Sequence, residues 1–218
     1  FLIGFPRSGT TLLDTILRTH SKITVLEEKP YILDIRHKYF KNNNNNLSSL
    51  LNIKQKEKDE IRREYLDQIY LNNNKSNIIV DKLPLSMIEL GFIKCIFPSS
   101  KIILALRHPC DVIISCFFSS FKINDAMINF LDWDDTITFY NKVFNLFEFY
   151  ERELELKYHI IKYENVVYDF KNEINHLLKF IGLKYESRLE NFQDTAKERD
   201  KISTPSYNQV ISPLYTSS

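Results

Sequence analysis

Residues 1–13 have the sequence FLIGFPRSGTTLL, which predicts a buried strand, a tight loop and the start of a helix. Residues 1–3 are a short apolar run typical of a parallel strand, whereas the leucines and isoleucine of residues 12–17 recur at helical spacing. The loop between them, residues 4–11, holds two of the four glycines in the chain. A glycine loop followed by the positive end of a helix dipole forms a phosphate or sulfate site. We therefore predict an anion-binding loop.

The two loop glycines have the spacing of a P-loop, in which a lysine follows the second glycine. Thr10 occupies that position here, and the cation of the loop is Arg7. A nucleoside triphosphate site needs the missing lysine, so the loop fits ATP or GTP poorly. The alternative without a ligand is an ordinary strand-to-helix turn of small residues.

The run GFPRSGTTLL at residues 4–13 resembles the loop that binds 3′-phosphoadenosine 5′-phosphosulfate (PAPS) in sulfotransferases. Small-molecule sulfotransferases usually have lysine where this chain has Arg7. Protein-tyrosine sulfotransferases and their bacterial relatives, often fused to tetratricopeptide repeats, have arginine, and the chain resembles this second group. The resemblance implies that the 5′-phosphosulfate is held by Pro6, Arg7, Ser8, Gly9, Thr10 and Thr11.

The composition is that of a globular domain. The chain has 218 residues, 44% of them apolar, and we predict a single domain over residues 1–218. With 29 basic and 28 acidic residues the net charge is +1, which does not favour a nucleic-acid partner. No apolar stretch approaches the ~20 residues that a membrane helix needs. Because Phe1 falls inside the first predicted strand, we expect this sequence to be a fragment, and the resemblance implies a repeat domain upstream.

The three cysteines, at positions 95, 110 and 116, show neither metal-site spacing nor a disulfide framework. We interpret them as reduced core thiols, which favours a cytoplasmic location. The Golgi lumen is the alternative for a eukaryotic chain.

Short apolar or β-branched runs predict strands, and the segments between them predict helices. This alternation predicts an α/β fold, a P-loop-like three-layer arrangement with a central, mostly parallel sheet of about five strands flanked by helices. The strands are expected at residues 1–3, 23–26, 77–80, 101–106 and 159–163. The later helices are expected at residues 31–40, 54–71, 86–97, 109–121, 132–158 and 170–181.

Two segments depart from this alternation. Residues 41–49 contain an asparagine run, which we interpret as a loop insert. Residues 203–218 are rich in serine, threonine and proline and are typical of a loop. The resemblance implies that this tail is a lid over the nucleotide, with Ser206 as its sulfate-contacting serine.

Glu28 follows the second predicted strand. Ligands of open α/β sheets bind beyond the carboxyl ends of the strands, where a carboxylate can accept the proton of a hydroxyl. The residues alone leave open a plain surface charge beside Glu27. The resemblance implies that Glu28 is the general base, with Glu27 as the second choice.

Lys82 follows the third predicted strand and by itself is compatible with a solvated lysine. The resemblance implies that its ammonium contacts the bridging or leaving oxygen, where a positive charge offsets the charge that develops. Arg7 is expected to assist there through bidentate contacts to the phosphosulfate.

Arg107 closes the fourth predicted strand, and Ser115 lies eight residues further on in the next helix. Both match the 3′-phosphate motif of sulfotransferases, since a strand-end guanidinium and a helix hydroxyl can converge on one phosphate. The alternative is an ion pair of Arg107 with Asp111 beside an ordinary helix serine.

The resemblance thus implies transfer of a sulfuryl group from PAPS to an acceptor hydroxyl, with adenosine 3′,5′-bisphosphate as the second product. Animal tyrosylprotein sulfotransferases typically read Glu-Glu-Thr-Arg at the base, whereas residues 27–30 here read EEKP. A peptide or protein tyrosine is therefore only one candidate acceptor, and a homodimer is compatible with the resemblance. The five histidines lack ligand spacing, so we expect no metal.

Two other functions remain as hypotheses. A P-loop nucleotide kinase is disfavoured by Thr10, and its acidic Mg²⁺ partner could only be Asp81. The other is a catalytically silent module that binds PAPS.

Overall fold

The protein is described by a computed structural model that covers residues 1–72 and 78–197. Ser206 and the lid-like tail of residues 203–218 lie outside the described residues. The strands are β1 (Leu2–Gly4), β2 (Ile23–Glu27), β3 (Ile78–Lys82), β4 (Ile102–Leu106) and β5 (Tyr158–Lys162). They form one parallel sheet, as predicted, and their order in it is β2-β3-β1-β4-β5.

The position of β1 defines the switch point of the sheet. The chain continues from β1 to β2 and β3 on one side, and then to β4 and β5 on the other. In open α/β sheets the crevice beyond such a switch point is where ligands bind. The loop that leaves β1 lies at this position.

Helices cover both faces of the sheet. Alternate strand residues face opposite sides, so Leu2 packs into one apolar core and Ile3 into the other. The helices are α1 (Thr10–Arg18), α2 (Tyr31–Asn42), α3 (Gln55–Asn72), α4 (Leu90–Ile96), α5 (Pro109–Phe117), α6 (Trp133–Glu153), α7 (Tyr163–Tyr168), α8 (Phe170–Ile181) and α9 (Phe192–Lys197). The core that contains Leu2 is covered by α1, α7, α8 and α9, and the core that contains Ile3 is covered by α2 to α6.

Several boundaries differ from the predicted ones. The strand β3 extends through Lys82, because β2 pairs with it up to the register Glu27 with Lys82. The helix predicted at 86–97 is a 3₁₀ turn at Pro84–Glu89 followed by α4, and the helix predicted to reach residue 158 ends at Glu153. The first of these shifts moves Asp81 and Lys82 from a predicted loop into the sheet.

The asparagine run forms a compact turn. Lys41 and Asn42 belong to α2, and Asn44 and Asn45 both have a φ of 55°. Asparagine tolerates this left-handed conformation better than most residues. Asn46 then accepts a hydrogen bond from the Ser48 amide at the start of a 3₁₀ turn.

The thiols are distributed over three environments. All three are free; Cys116 is buried, Cys95 is partly buried and Cys110 is exposed. The expectation of core thiols is therefore wrong for Cys110.

A buried hydrogen bond ties α3 to the sheet. The Tyr65 hydroxyl donates to Asp81 Oδ2 at 2.8 Å, and both side chains are buried. Burial raises the pKa of Asp81 to about 6, and the bond from Tyr65 counteracts part of that effect.

We expect Tyr65→Phe to lower the free energy of unfolding by about 1–3 kcal/mol at alkaline pH, because the ionised Asp81 loses its buried donor. The loss is smaller below the pKa of Asp81, where the carboxyl is protonated. Urea unfolding at about pH 5 and about pH 8 measures both values.

The sign follows from linkage. The pKa of Asp81 in the folded chain, about 6, lies above the unfolded value of 3.8, so stability falls as pH rises between them. Losing the Tyr65 bond raises the folded pKa further and extends that fall to higher pH. Tyr70→Phe removes the hydroxyl of an exposed tyrosine in the same helix and serves as the control. An equal loss for Tyr65→Phe at both pH values would contradict this account.

Candidate active site

The loop after β1 needs its first glycine for space. A Cβ at Gly4 would lie 2.5 Å from Ser8 Oγ and 2.7 Å from the backbone oxygen of Ala105 on the neighbouring strand β4. The loop then turns back on itself, and the Ser8 amide donates to the Phe5 oxygen at 3.1 Å. Glycine at position 4 thus allows the loop to pack tightly against β4.

The remainder of the loop has an unusual backbone. Arg7 has a φ of 70° and Gly9 a φ of 98°, both in the left-handed region. Such values carry strain for a residue with a side chain and often occur at ligand sites. Gly9 also packs against the ring of Tyr163, which a Cβ would approach to 3.1 Å.

The start of α1 fits an anion. Thr10 and Thr11 begin the helix, so their amides point out of its positive end. Ser8 is buried, and within the described ranges its Oγ has no hydrogen-bond partner. A buried hydroxyl of this kind is normally satisfied by a ligand or ordered water. An anion seated on the loop would supply the acceptor.

Two guanidinium groups lie beside this loop. Arg7 Nε donates to Ser115 Oγ at 2.8 Å, which joins the loop to α5. Burial lowers the pKa of Arg7, the Cys116 thiol opposes that effect, and the positive charge of Arg107 lowers the pKa further. The two arginines are thus close enough to repel one another. A bound anion would remove that repulsion.

Arg107 has a second contact that the sequence did not indicate. Its guanidinium lies over the ring of Tyr163, 4.9 Å from the ring centre. Its Nη2 is 3.4 Å from Asp111 Oδ2, so the ion pair named as the alternative exists but is long. Among the described residues the buried Nε of Arg107 has no hydrogen-bond partner. The arginine is therefore only partly neutralised by the protein.

Tyr163 was not predicted as a site residue, because it was counted as the end of the last strand. The strand β5 ends at Lys162, and Tyr163 begins α7 at the carboxyl edge of the sheet. Its place directly after an apolar strand was the available signal. Ser115 was predicted to meet Arg107, whereas the hydrogen bond that the structure shows joins it to Arg7.

Lys82 is the centre of a charged cluster at the same sheet edge. Its side chain is fully buried, and its Nζ donates to Glu28 Oε1 at 2.8 Å. Asp14 Oδ2 and Glu27 Oε1 each lie 3.7 Å from the same Nζ. A buried ammonium is stable only when it is paired in this way. The interpretation of Lys82 as a solvated lysine is therefore wrong.

Glu28 is the accessible carboxylate of the cluster. Its backbone has a φ of 48°, and its amide donates to the Lys82 carbonyl oxygen at 2.7 Å. The side chain is 35% exposed, compared with 16% for Glu27. A base that acts on an external hydroxyl must be reachable, so the geometry favours Glu28 over Glu27.

Asp81 does not belong to this cluster. It follows Val80 and precedes Lys82 on one strand, so its side chain points to the opposite face, where Tyr65 binds it. This placement removes the acidic partner that a kinase would need. Within residues 1–72 and 78–197, no group of three His, Cys, Asp or Glu side chains could hold a metal ion.

No helix among the described residues is both long and apolar enough to cross a membrane.

The loop, Arg107 and the Lys82 cluster all lie at the carboxyl ends of parallel strands, where the ligands of open α/β sheets bind. The sequence model described as "Sulfotransferase family" matches residues 1–187, so the chain belongs to the sulfotransferase family.

Two relatives align with almost the whole chain. An uncharacterized protein of Aquifex aeolicus is 26% identical over 100% of this chain and 29% of its own length. Protein-tyrosine sulfotransferase 1 of Danio rerio is 23% identical over 98% of this chain and 62% of its own length. The chain thus spans less than two thirds of either protein.

A solved structure shows the same fold. The sulfotransferase domain of the Synechococcus PCC 7002 olefin synthase superposes with a TM-score of 0.61 at 19% identity. The match covers 98% of this chain and 85% of that domain. The three-layer parallel architecture is therefore that of sulfotransferase domains.

We expect Gly4→Ala to lower the free energy of unfolding by about 1–3 kcal/mol, because the Ala105 backbone oxygen cannot rotate away from the added methyl group. The damage is local to the loop, so amide hydrogen exchange in residues 4–13 becomes faster relative to the rest of the chain.

Gly182→Ala is the matched control. Gly182 also has a positive φ, 89°, but a Cβ there would meet nothing within 4 Å. Gly182→Ala therefore introduces backbone strain of about 1–2 kcal/mol but does not disturb the anion loop. Unchanged exchange of residues 4–13 in Gly4→Ala would show that the close approach to β4 is unimportant.

Proposed function

We propose that this chain transfers a sulfuryl group from PAPS to an acceptor hydroxyl. The observation that carries the proposal is the hydrogen-bonded pair of Glu28 and Lys82, which joins an accessible base to a buried cation beside the anion loop. Membership of the sulfotransferase family supports sulfuryl transfer, and the use of PAPS is the specific step that we add.

The residues around the loop suit a nucleotide with a charged group at each end. The amides at the start of α1, together with Ser8 and Arg7, would hold the 5′-phosphosulfate. Arg107 and Ser115 would hold the 3′-phosphate. Because the charge of Arg107 is felt by Arg7, a single ligand carrying both anionic groups would neutralise the two guanidinium groups together.

When bound, PAPS would supply the sulfuryl group. The acceptor oxygen forms a bond to sulfur while the sulfur–oxygen bond to the phosphate breaks. Glu28 takes the proton of the acceptor hydroxyl. Lys82 donates a hydrogen bond to the phosphate oxygen that gains negative charge, and its buried surroundings strengthen that interaction.

The acceptor is a hydroxyl compound, and two classes of hydroxyl are candidates. A peptide or protein tyrosine is the first acceptor to test, because aligned relatives carry the name protein-tyrosine sulfotransferase. The sequence EEKP at residues 27–30 differs from the animal enzymes directly beside Glu28, which supports a bacterial-type cytoplasmic enzyme with a different hydroxyl acceptor. An acceptor screen with labelled PAPS distinguishes these cases.

We expect Glu28→Gln to lower kcat by at least about 100-fold, because the amide cannot take the proton. Binding of adenosine 3′,5′-bisphosphate persists, since Glu28 is not among its proposed contacts. Glu148→Gln, at an exposed position of α6, is the matched control and retains the activity of the parent. A Glu28→Gln variant as active as the parent would remove the base assignment, and a parent that binds the bisphosphate but sulfates nothing would favour a silent module.

The nucleotide assignment is tested by calorimetry with adenosine 3′,5′-bisphosphate, AMP and ATP·Mg. We expect the bisphosphate to bind most tightly. Arg107→Ala weakens its binding by about 10–100-fold, the usual value of a hydrogen bond to a charged group, and leaves AMP binding unchanged.

Arg152→Ala removes an exposed arginine of α6 and is the control for nonspecific charge effects. Tight binding of ATP·Mg without binding of the bisphosphate would overturn the proposed function.

A further inference from the structure

Asp14 is a buried acid that the proposed reaction does not use directly. It lies in α1, one turn after the anion loop, and its side chain is completely inaccessible. Arg18 Nε donates to Asp14 Oδ1 at 3.0 Å, and the guanidinium forms an ion pair with the same oxygen, so Arg18 holds one side of the carboxylate. The other oxygen, Oδ2, lies 3.7 Å from Lys82 Nζ.

The three acids around Lys82 differ in how firmly they are held. Glu28 is partly exposed and lies beyond the end of β2, whereas Asp14 is enclosed in the core and held by Arg18. Glu27 is intermediate in exposure and lies as far from Nζ as Asp14 does. A fixed carboxylate that is already oriented costs little reorganisation when it stabilises a neighbouring cation.

The proposed reaction changes the charge of one of these acids. When Glu28 takes the acceptor proton it becomes neutral, and its attraction for Lys82 weakens at the moment when the ammonium must face the leaving oxygen. Lys82 then keeps Asp14 and Glu27 as its ionic neighbours in the described part of the chain. A fully buried ammonium is stable only while carboxylates of this kind remain beside it.

We propose that Asp14, oriented by Arg18, is a positioning residue that keeps the Lys82 ammonium in place while Glu28 accepts the acceptor proton. This inference rests on the proposed function, because it assigns Lys82 a part in sulfuryl transfer. The side chains that face the ammonium are those of Asp14, Glu27 and Glu28, from α1, the end of β2 and the residue after it.

The test compares Asp14→Asn with Asp81→Asn. Each substitution removes one buried carboxylate. Asp14 lies beside Lys82 in space, whereas Asp81 precedes Lys82 in the sequence but faces the opposite side of β3. For Asp14→Asn we expect kcat to fall about tenfold, the size of a coupling within one charged network, with KM for PAPS unchanged. Asp14→Glu, which keeps the carboxylate, restores part of the rate.

Asp81→Asn is expected to change stability and leave kcat and its pH profile as in the parent. A second readout does not depend on turnover: the ¹³Cε signal of labelled Lys82 reports the surroundings of its ammonium group. Its chemical shift differs from that of the parent in Asp14→Asn and is unchanged in Asp81→Asn.

The outcomes separate the two proposals. A parent that transfers no sulfuryl group from PAPS to any acceptor overturns the proposed function, and this inference with it. A parent that is active, with an Asp14→Asn variant whose kcat and Lys82 signal match the parent, overturns the positioning role alone. Equal effects of Asp14→Asn and Asp81→Asn on kcat also overturn it, because they would point to a general loss of core stability.

Discussion

A positive charge with no access to water is the constraint on which the site depends. Lys82 is buried beneath the sheet edge, and burying an ammonium is costly unless carboxylates surround it. The surrounding acids come from separate elements, one from α1 and two from the end of β2. The ion pairs of Lys82 therefore join α1, β2 and β3. A group-transfer site gains a cation whose position is set before any substrate arrives.

The strained backbone at Glu28 follows from the same constraint. The residue leaves β2 with a left-handed φ, and its amide bonds to the carbonyl oxygen of the lysine that its carboxylate contacts. The main chain and the side chain of Glu28 thus both bind Lys82. These two contacts fix the Glu28 carboxylate while part of it stays exposed to solvent. The anion loop shows a comparable arrangement, since Arg7 is also left-handed and its side chain bonds to α5.

Much of this could be predicted from the sequence. The apolar runs predicted a parallel sheet of about five strands. The two loop glycines predicted an anion-binding loop, because few other residues can approach a neighbouring strand so closely. Lys82 was predicted as a site residue, but its burial was not, since a strand boundary depends on pairing with β2 and not on local pattern alone. Tyr163 and Asp14 were missed because their roles arise from contacts across the fold. A tyrosine beside Gly9 and an acid beside Lys82 have no local signature.

The strand order has a consequence for how such a protein can diversify. The base and the buried lysine belong to β2 and β3, whereas Arg107 and Tyr163 follow β4 and β5 on the other side of β1. Under the proposed function, the residues that meet the acceptor thus lie on one side of β1 and those that meet the 3′-phosphate on the other, with the loop after β1 between them. A substitution on the β2 side can then alter the choice of acceptor while the contact of Arg107 with Tyr163 stays unchanged.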